Sequence, residues 1–281
     1  MKRRLTLLLA LGLWLLAANA QKTKTLTILH TNDTHSCILP LNAQLADTML
    51  AGRGGYLRRM ALIEEERKQD PDLLVIDSGD FSQGSSYYSL FKGDVEIGLM
   101  NRMGVTATTI GNHEFDFGLD NMARLFRMAN FPVVCANYRV YDTPLQGVVK
   151  PYHILKVKGI KVGIFGLAPK LDGLVDSKNY GKVTYLDPIQ TANEMARTLR
   201  EKERCDVVIC ISHLGWTESG MGDQEMISHS RGIDLVLGGH SHSYFKQLRY
   251  VTDLDGREVP VDQNGKSGIY VGKIKLTLGR H

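Results

Sequence analysis

After its first twenty residues this sequence has no apolar run near the roughly 20 residues that a bilayer-spanning helix needs, so no stable membrane insertion is expected of the remainder. It also lacks an excess of either charge. There are 34 basic residues against 30 acidic ones; three of the bases, Lys2, Arg3 and Arg4, lie in the leader, which leaves 31 against 30. That balance excludes nucleic acid or an anionic membrane as the main partner. Only four cysteines occur, Cys37, Cys135, Cys205 and Cys210, and none shows Cys-x-x-Cys spacing, so a thiolate zinc site is excluded. Cys135 and Cys210 stand in strand-like apolar runs and read as buried free thiols. The even count still permits three disulfide pairings in an oxidising compartment. Repeats, low-complexity segments and linkers are absent.

What is present begins with a leader. Lys2 to Arg4 form a basic start, Leu5 to Ala17 an apolar core, and Ala18-Asn19-Ala20 a small-residue cleavage pattern. Residues 1–20 therefore read as a signal peptide, and residues 21–281 as one secreted or periplasmic α/β domain. Gln21, not Cys, follows the expected cut, so a lipid-anchored start there is not expected.

Strand-like and helix-like patterns alternate along the rest. Thr25 to His30, Leu73 to Ile76, Ala107 to Ile110, Val133 to Ala136, Asp206 to Ile211 and Asp234 to Leu237 are apolar runs of strand length. Helical spacing marks Gly55 to Gln69, with Leu57, Met60, Ala61 and Ile63 on its apolar side, and also Val95 to Met103, Asp120 to Ala129 and Ile189 to Glu203. Tyr152 to Val157 and Lys161 to Leu167 flank Lys158-Gly159-Ile160 as a hairpin. Leu41 to Arg53 and Thr252 to Ser267 read as surface loops, and Ile269 to Leu278 as a strand pair or one long strand. The pattern predicts a layered α/β sandwich, in which ligands collect beyond the carboxyl ends of the strands.

Five polar fragments fall at those ends: Asp33-Thr34-His35, Gly79-Asp80, Gly111-Asn112-His113-Glu114, Ser212-His213 and Gly238-Gly239-His240-Ser241-His242. Taken singly, each residue has an ordinary role as turn, cap or hydrogen-bonded imidazole. Jointly they hold the nitrogen and oxygen donors of a divalent-metal site. The Asp33/His35 and His240/His242 spacings place each pair on one face of an extended segment. Asp80 is the candidate bridge between two ions, and Asn112 a neutral oxygen donor. His113 follows Asn112 directly and points elsewhere, as an acid or charge stabiliser with Asp116 to hold its ring. Glu114 reads as structural, and His30, His153, His229 and His281 as ordinary histidines.

Leu29-His30-Thr31-Asn32-Asp33-Thr34-His35 and Gly111-Asn112-His113-Glu114-Phe115-Asp116 resemble the two signatures of the secreted 5′-nucleotidase family, within the calcineurin-like metallophosphoesterases. Gly79-Asp80, Ser212-His213-Leu214-Gly215 and Gly238 to His242 match its remaining blocks in order. The resemblance implies a four-layer α/β/β/α sandwich. It implies two divalent metal ions (manganese, zinc, cobalt or similar), one held by Asp33, His35, Asp80 and His242, the other by Asp80, Asn112, His213 and His240. The implied reaction is hydrolysis of a phosphate ester, such as a nucleotide, by a metal-activated water, with Asn112 and His113 contacting substrate and His113–Asp116 as catalytic dyad. Family members carry a C-terminal domain that grips the nucleotide, whereas this sequence ends at His281, soon after the last strand of the metal domain. A separate nucleotide-binding partner protein is thus one expectation. The alternative is a metal-binding catalytic or scaffold subunit that depends on that partner for activity.

Overall fold

Strand β1 (Lys24–Thr31) is apolar at both parities: Leu26 and Ile28 enter one buried cluster, and Leu29 enters another on the opposite face. A strand buried on both faces belongs to a sheet covered on each side. The computed structural model describes residues 23–217 and 221–278, so the leader expected over residues 1–20 lies outside the described residues, as does His281. The double alternation recurs in β2 (Leu74–Asp77), where Leu74 and Ile76 face one way and Val75 the other. With β3 (Ala107–Thr108), these strands are parallel neighbours.

Beyond the small β4 (Tyr138–Arg139), β5 (Tyr152–Val157) and β6 (Ile160–Leu167) form the expected hairpin. A short β7 (Thr184–Tyr185) pairs with β4, and β8 (Val207–Ser212) and β9 (Leu235–Leu237) follow β6 as parallel neighbours. β10 (Arg249–Thr252) and β11 (Glu258–Asp262) extend that sheet. β12 (Gly272–Leu278) instead returns to pair antiparallel with β1, as one strand. The two main sheets therefore run β12-β1-β2-β3 and β10-β11-β9-β8-β6-β5.

Ile28, Ile76, Val162, Ile209 and Leu235 share the cluster between the sheets. Helices α1 (Tyr56–Gln69), α2 (Ser86–Phe91), α3 (Asp94–Met103) and α4 (Gly118–Met128) lie on the side of the four-stranded sheet, with Ile63, Met100 and Phe126 in its outer cluster. After a single-turn α5 (Ser177–Tyr180), α6 (Pro188–Arg197) and α7 (Asp223–Ser228) cover the six-stranded sheet. α6 starts where Asp187 accepts from the Gln190 N–H and Pro188 pre-sets the first turn, and a π-turn over Thr198–Lys202 ends it. The layers are α/β/β/α, as expected.

Some local readings change. Leu57 is 73% exposed, and α1 buries Tyr56, Arg59 and Ile63, because the helix is rotated to lay its first turn under the residues after β1. β11 lies inside the stretch read as a loop, paired to β9 where Val259 and Val261 find a covered face. Residues 133–136 make only isolated bridges to Thr108 and Lys150. All four cysteines are free thiols, with Cys135 and Cys210 buried as expected.

Candidate metal centre

Each polar fragment leaves the carboxyl end of a parallel strand: Asp33 and His35 after β1, Asp80 after β2, Asn112 after β3, His213 after β8, and His240 and His242 after β9. Three of these strands belong to one sheet and two to the other, so the fragments meet across the sandwich. The chain does not run extended there. Asp33, His35, Asp80, His240 and His242 all have positive φ, between 42° and 69°, a region that side chains other than glycine seldom occupy. Left-handed turns, in place of the expected extended pairs, aim these side chains. Such clustered strain is held by its surroundings and marks functional sites.

The frame is hydrogen-bonded backbone. Asp33 N–H donates to Gly79 O at 3.0 Å and His35 N–H to Asp80 O at 3.0 Å, which ties the first two loops together. The Glu114 carboxylate accepts from Asp80 N–H at 3.0 Å, Ser82 N–H at 3.2 Å and Gly111 N–H at 2.6 Å, the structural role expected of it. His240 N–H donates to the Asp33 carboxylate, at 3.0 Å to Oδ2, and joins the two sheets. Gly111 has no room for a side chain, since an added Cβ would lie 2.1 Å from Asp80 Oδ1. His30 lies buried behind the site, joined to Asp262 at 2.8 Å and Ser78 at 2.9 Å, and serves as structural support.

On this frame the donors form three groups, each within 4.8 Å: Asp33, His35 and His242; Asp80, His213 and His240; and His35, Asp80 and His113. The first group holds three of the four residues of one set that the resemblance implied and the second three of the other, and the third group joins Asp80 to His35. Asn112 Oδ1 is buried without a hydrogen-bond partner. His213 Nδ1 donates to Ser78 O at 2.6 Å, which aims Nε2 at Asp80 Oδ2, 3.2 Å away, and Asp33 Oδ1, 3.7 Å away. His35 Nε2 and His242 Nε2 lie 2.9 Å apart. His113 also comes near the cluster, edge-on to His35 with ring centroids 5.4 Å apart, so following Asn112 directly does not turn it away. Its Nδ1 is held by Asp116, 3.2 Å from Oδ2, which leaves Nε2 for the cleft.

The electrostatics suit cations. Burial, then the charge of His213, pushes His240 down to about 4; burial, then the charge of His35, does the same for His242. Burial also lowers His35. These imidazoles are neutral at neutral pH, the state in which they can bind metal. Burial raises Asp33 to about 7 against the pull of His213. Burial would raise Asp80 too, but the charge of His213 and its hydrogen bond hold the Asp80 carboxyl below its usual range. His213 is lowered by burial yet raised to about 10 by Asp80 and Asp33, so a proton sits where a cation would neutralise the same carboxylates. The unpartnered Asn112 oxygen, the neutral imidazoles and the two buried carboxylates fit a divalent-metal site. A cavity of about 590 Å³ opens over His35, His113 and His242, with residues 39–42, 83–87 and Lys266 around it.

Residues 26–244 match the calcineurin-like phosphoesterase family. Human 5′-nucleotidase is 32% identical over 294 residues, which span 96% of this chain and 49% of that protein. The crystal structure of the 5′-nucleotidase precursor from Thermus thermophilus superposes with a TM-score of 0.80 at 31% identity, covering 90% of this chain and 51% of that one. The NAD nucleotidase of Haemophilus influenzae superposes with a TM-score of 0.79 at 28% identity, over 92% and 48%. The chain spans about half the length of these relatives.

Proposed function

This chain belongs to the calcineurin-like phosphoesterase family, and from that premise we propose that it hydrolyses phosphate esters, nucleotides among them, at the centre formed by Asp33, His35, Asp80, Asn112, His213, His240 and His242. The observation that carries this reading is the convergence of those donors from five strand ends in two sheets, with Asn112 Oδ1 buried and unpartnered. When bound, two divalent cations supply electrophilic activation of the ester and of water. Asp33, His35, Asp80 and His242 would hold one, and Asp80, Asn112, His213 and His240 the other. The ester enters through the cavity over His35 and His113, which is roomy enough for a phosphoryl group and a leaving group.

The chain's own groups then set the geometry and the proton. Asp80 is fixed by the His113 N–H on Oδ1 at 2.9 Å, which leaves its other oxygen toward His213. Asn112 presents its amide to the phosphoryl oxygens. Burial lowers His113, but the hydrogen bond to Asp116 and the charges of Asp80 and Asp116 raise it overall, which favours the imidazolium. That imidazolium donates to the phosphoryl or leaving oxygen as negative charge builds there. Secretion, suggested by the leader, would place the substrate outside the cytoplasm.

The test is hydrolysis of p-nitrophenyl phosphate, AMP and a UDP-sugar by the purified chain with manganese, zinc or cobalt. Turnover of at least one is expected. A folded, metal-loaded chain that turns over none of them removes the autonomous-enzyme reading.

A further inference from the structure

A second cavity, of about 250 Å³, lies on the far side of the cleft wall, lined by Arg53, Arg58 and Arg59 with Leu62, Ile269 and Val271. Arg59 is only 3% exposed, and its Nε and Nη2 have no hydrogen-bond partner. Its guanidinium is held in place from two sides. Cζ lies 3.8 Å from the centroid of the Tyr56 ring. The backbone at Gly268 packs against the guanidinium plane, since an added Cβ there would lie 2.7 Å from Cζ and 2.9 Å from Nη1. Gly268, at φ 58°, is the residue type that permits this approach.

Apart from the face of the Tyr56 ring, nothing offsets the cost of burying this cation, and an anion close by would lower it. No carboxylate of the described residues pairs with it. Their arginine ion pairs belong to Arg124, Arg200, Arg231 and Arg257. Glu66, on the same helix as Arg59, is bound by Lys273 at 2.6 Å. Asp77 feels the Arg59 charge, but its oxygens accept from Thr31, Gly79 and Thr108. Arg58 directs one N–H to Gly52 O, and Arg53 is exposed at the rim. Three guanidinium groups with no carboxylate opposing them surround a space of small-molecule size. We propose that this pocket binds a small oxyanion, a phosphate or a short carboxylate, held by the Arg53 and Arg58 side chains over the positive charge of the buried Arg59. Leu62, Ile269 and Val271 accommodate the apolar part of an organic anion. The site is separate from the metal cleft but shares a wall with it: Gly268 follows Lys266 and Ser267, which line the cleft, and Ser267 N–H donates to Asp33 O at 2.7 Å.

The experiment is thermal melting of the full chain with increasing inorganic phosphate or butyrate, against potassium chloride at equal ionic strength. The comparison protein is the double variant Arg53→Gln/Arg58→Gln, whose changes are at exposed side chains. The expected result is a saturable rise of about 3 °C in the parent chain with at least one of the two anions, falling to less than a third of that in the variant. Which anion acts identifies the ligand class. No rise in the parent chain, a rise that chloride reproduces, or one that the double variant retains in full overturns the proposal. Phosphate bound at the metal cleft raises both proteins alike, so their difference reports the arginine pocket alone. Phosphatase activity is measured separately, so its absence would count against the metal-centre reading without bearing on this one.

Discussion

At the scale of single residues, function rests on atoms left without partners. In the proposed reaction His113 is the residue whose chemistry separates a phosphatase from a passive metal site. His113→Asn is expected to lower kcat by about 10²–10⁴-fold while metal content, measured by atomic emission, stays the same. Full activity in that variant would remove the acid role from His113. A second test concerns a residue with no side chain. In Gly111→Ala the new Cβ would fall 2.1 Å from Asp80 Oδ1 and 2.6 Å from Asp80 N, so the Asp80 turn has to move. Metal affinity is expected to fall by about 10–100-fold, as when a support of a ligand is lost, with the fold retained by circular dichroism. Unchanged affinity would show that Asp80 is not a ligand. The residue types at both positions could be read in the sequence. That Gly111 touches Asp80 could not, because contact between residues so far apart in the chain is invisible to local pattern.

Elements set the directions of these residues, and here the sequence was legible in part. Parallel strands with apolar residues at both parities were evident in runs such as Val207 to Ile211, because burial on two faces leaves no polar position. The left-handed turns after β1, β2 and β9 were not, since Asp and His carry no strong signal for positive φ. The buried face of α1 was misjudged because an arginine, Arg59, takes a core position that a leucine pattern assigns to Leu57. One prediction belongs to the junction of β8 and α7. Asp223, the first residue of α7, accepts a hydrogen bond from Ser212 Oγ at the end of β8, and burial raises its carboxyl to about 7. A raised acid holds its proton in the folded chain after the unfolded chain has released it. Its stabilising contribution is therefore complete below pH 3.8, its ordinary value, and is lost as pH rises through about 7. Melting temperature is expected to fall between pH 5 and 7.5 (about two to three units of the titration window), and the fall should be smaller in Asp223→Asn. Identical pH profiles for the two proteins would contradict it.

For the whole molecule, the candidate metal centre is a joint between two sheets. Asp33, Asp80 and Asn112 come from the four-stranded sheet, and His213, His240 and His242 from the six-stranded one. Cations binding there select the folded state, which alone brings these donors together. Chelation is expected to lower the melting temperature by about 5 °C or more, with recovery on adding manganese, zinc or cobalt. A melting temperature indifferent to chelator would show that no metal is held. The sequence by itself determined the layered α/β architecture and the kinds of donor available, because strand periodicity and residue type are local properties. It also marked where the donors fall, at strand ends, since apolar runs stop where solvent and site begin. The tertiary structure alone decided which donor meets which. His240 faces Asp80 and His213 while His242, two residues on, faces Asp33 and His35, a division set by left-handed turns and by the packing of one sheet on the other. Only that packing also leaves Arg59 buried with no carboxylate of the described residues paired to it, because which charges meet in a core depends on layers that sequence neighbours do not share.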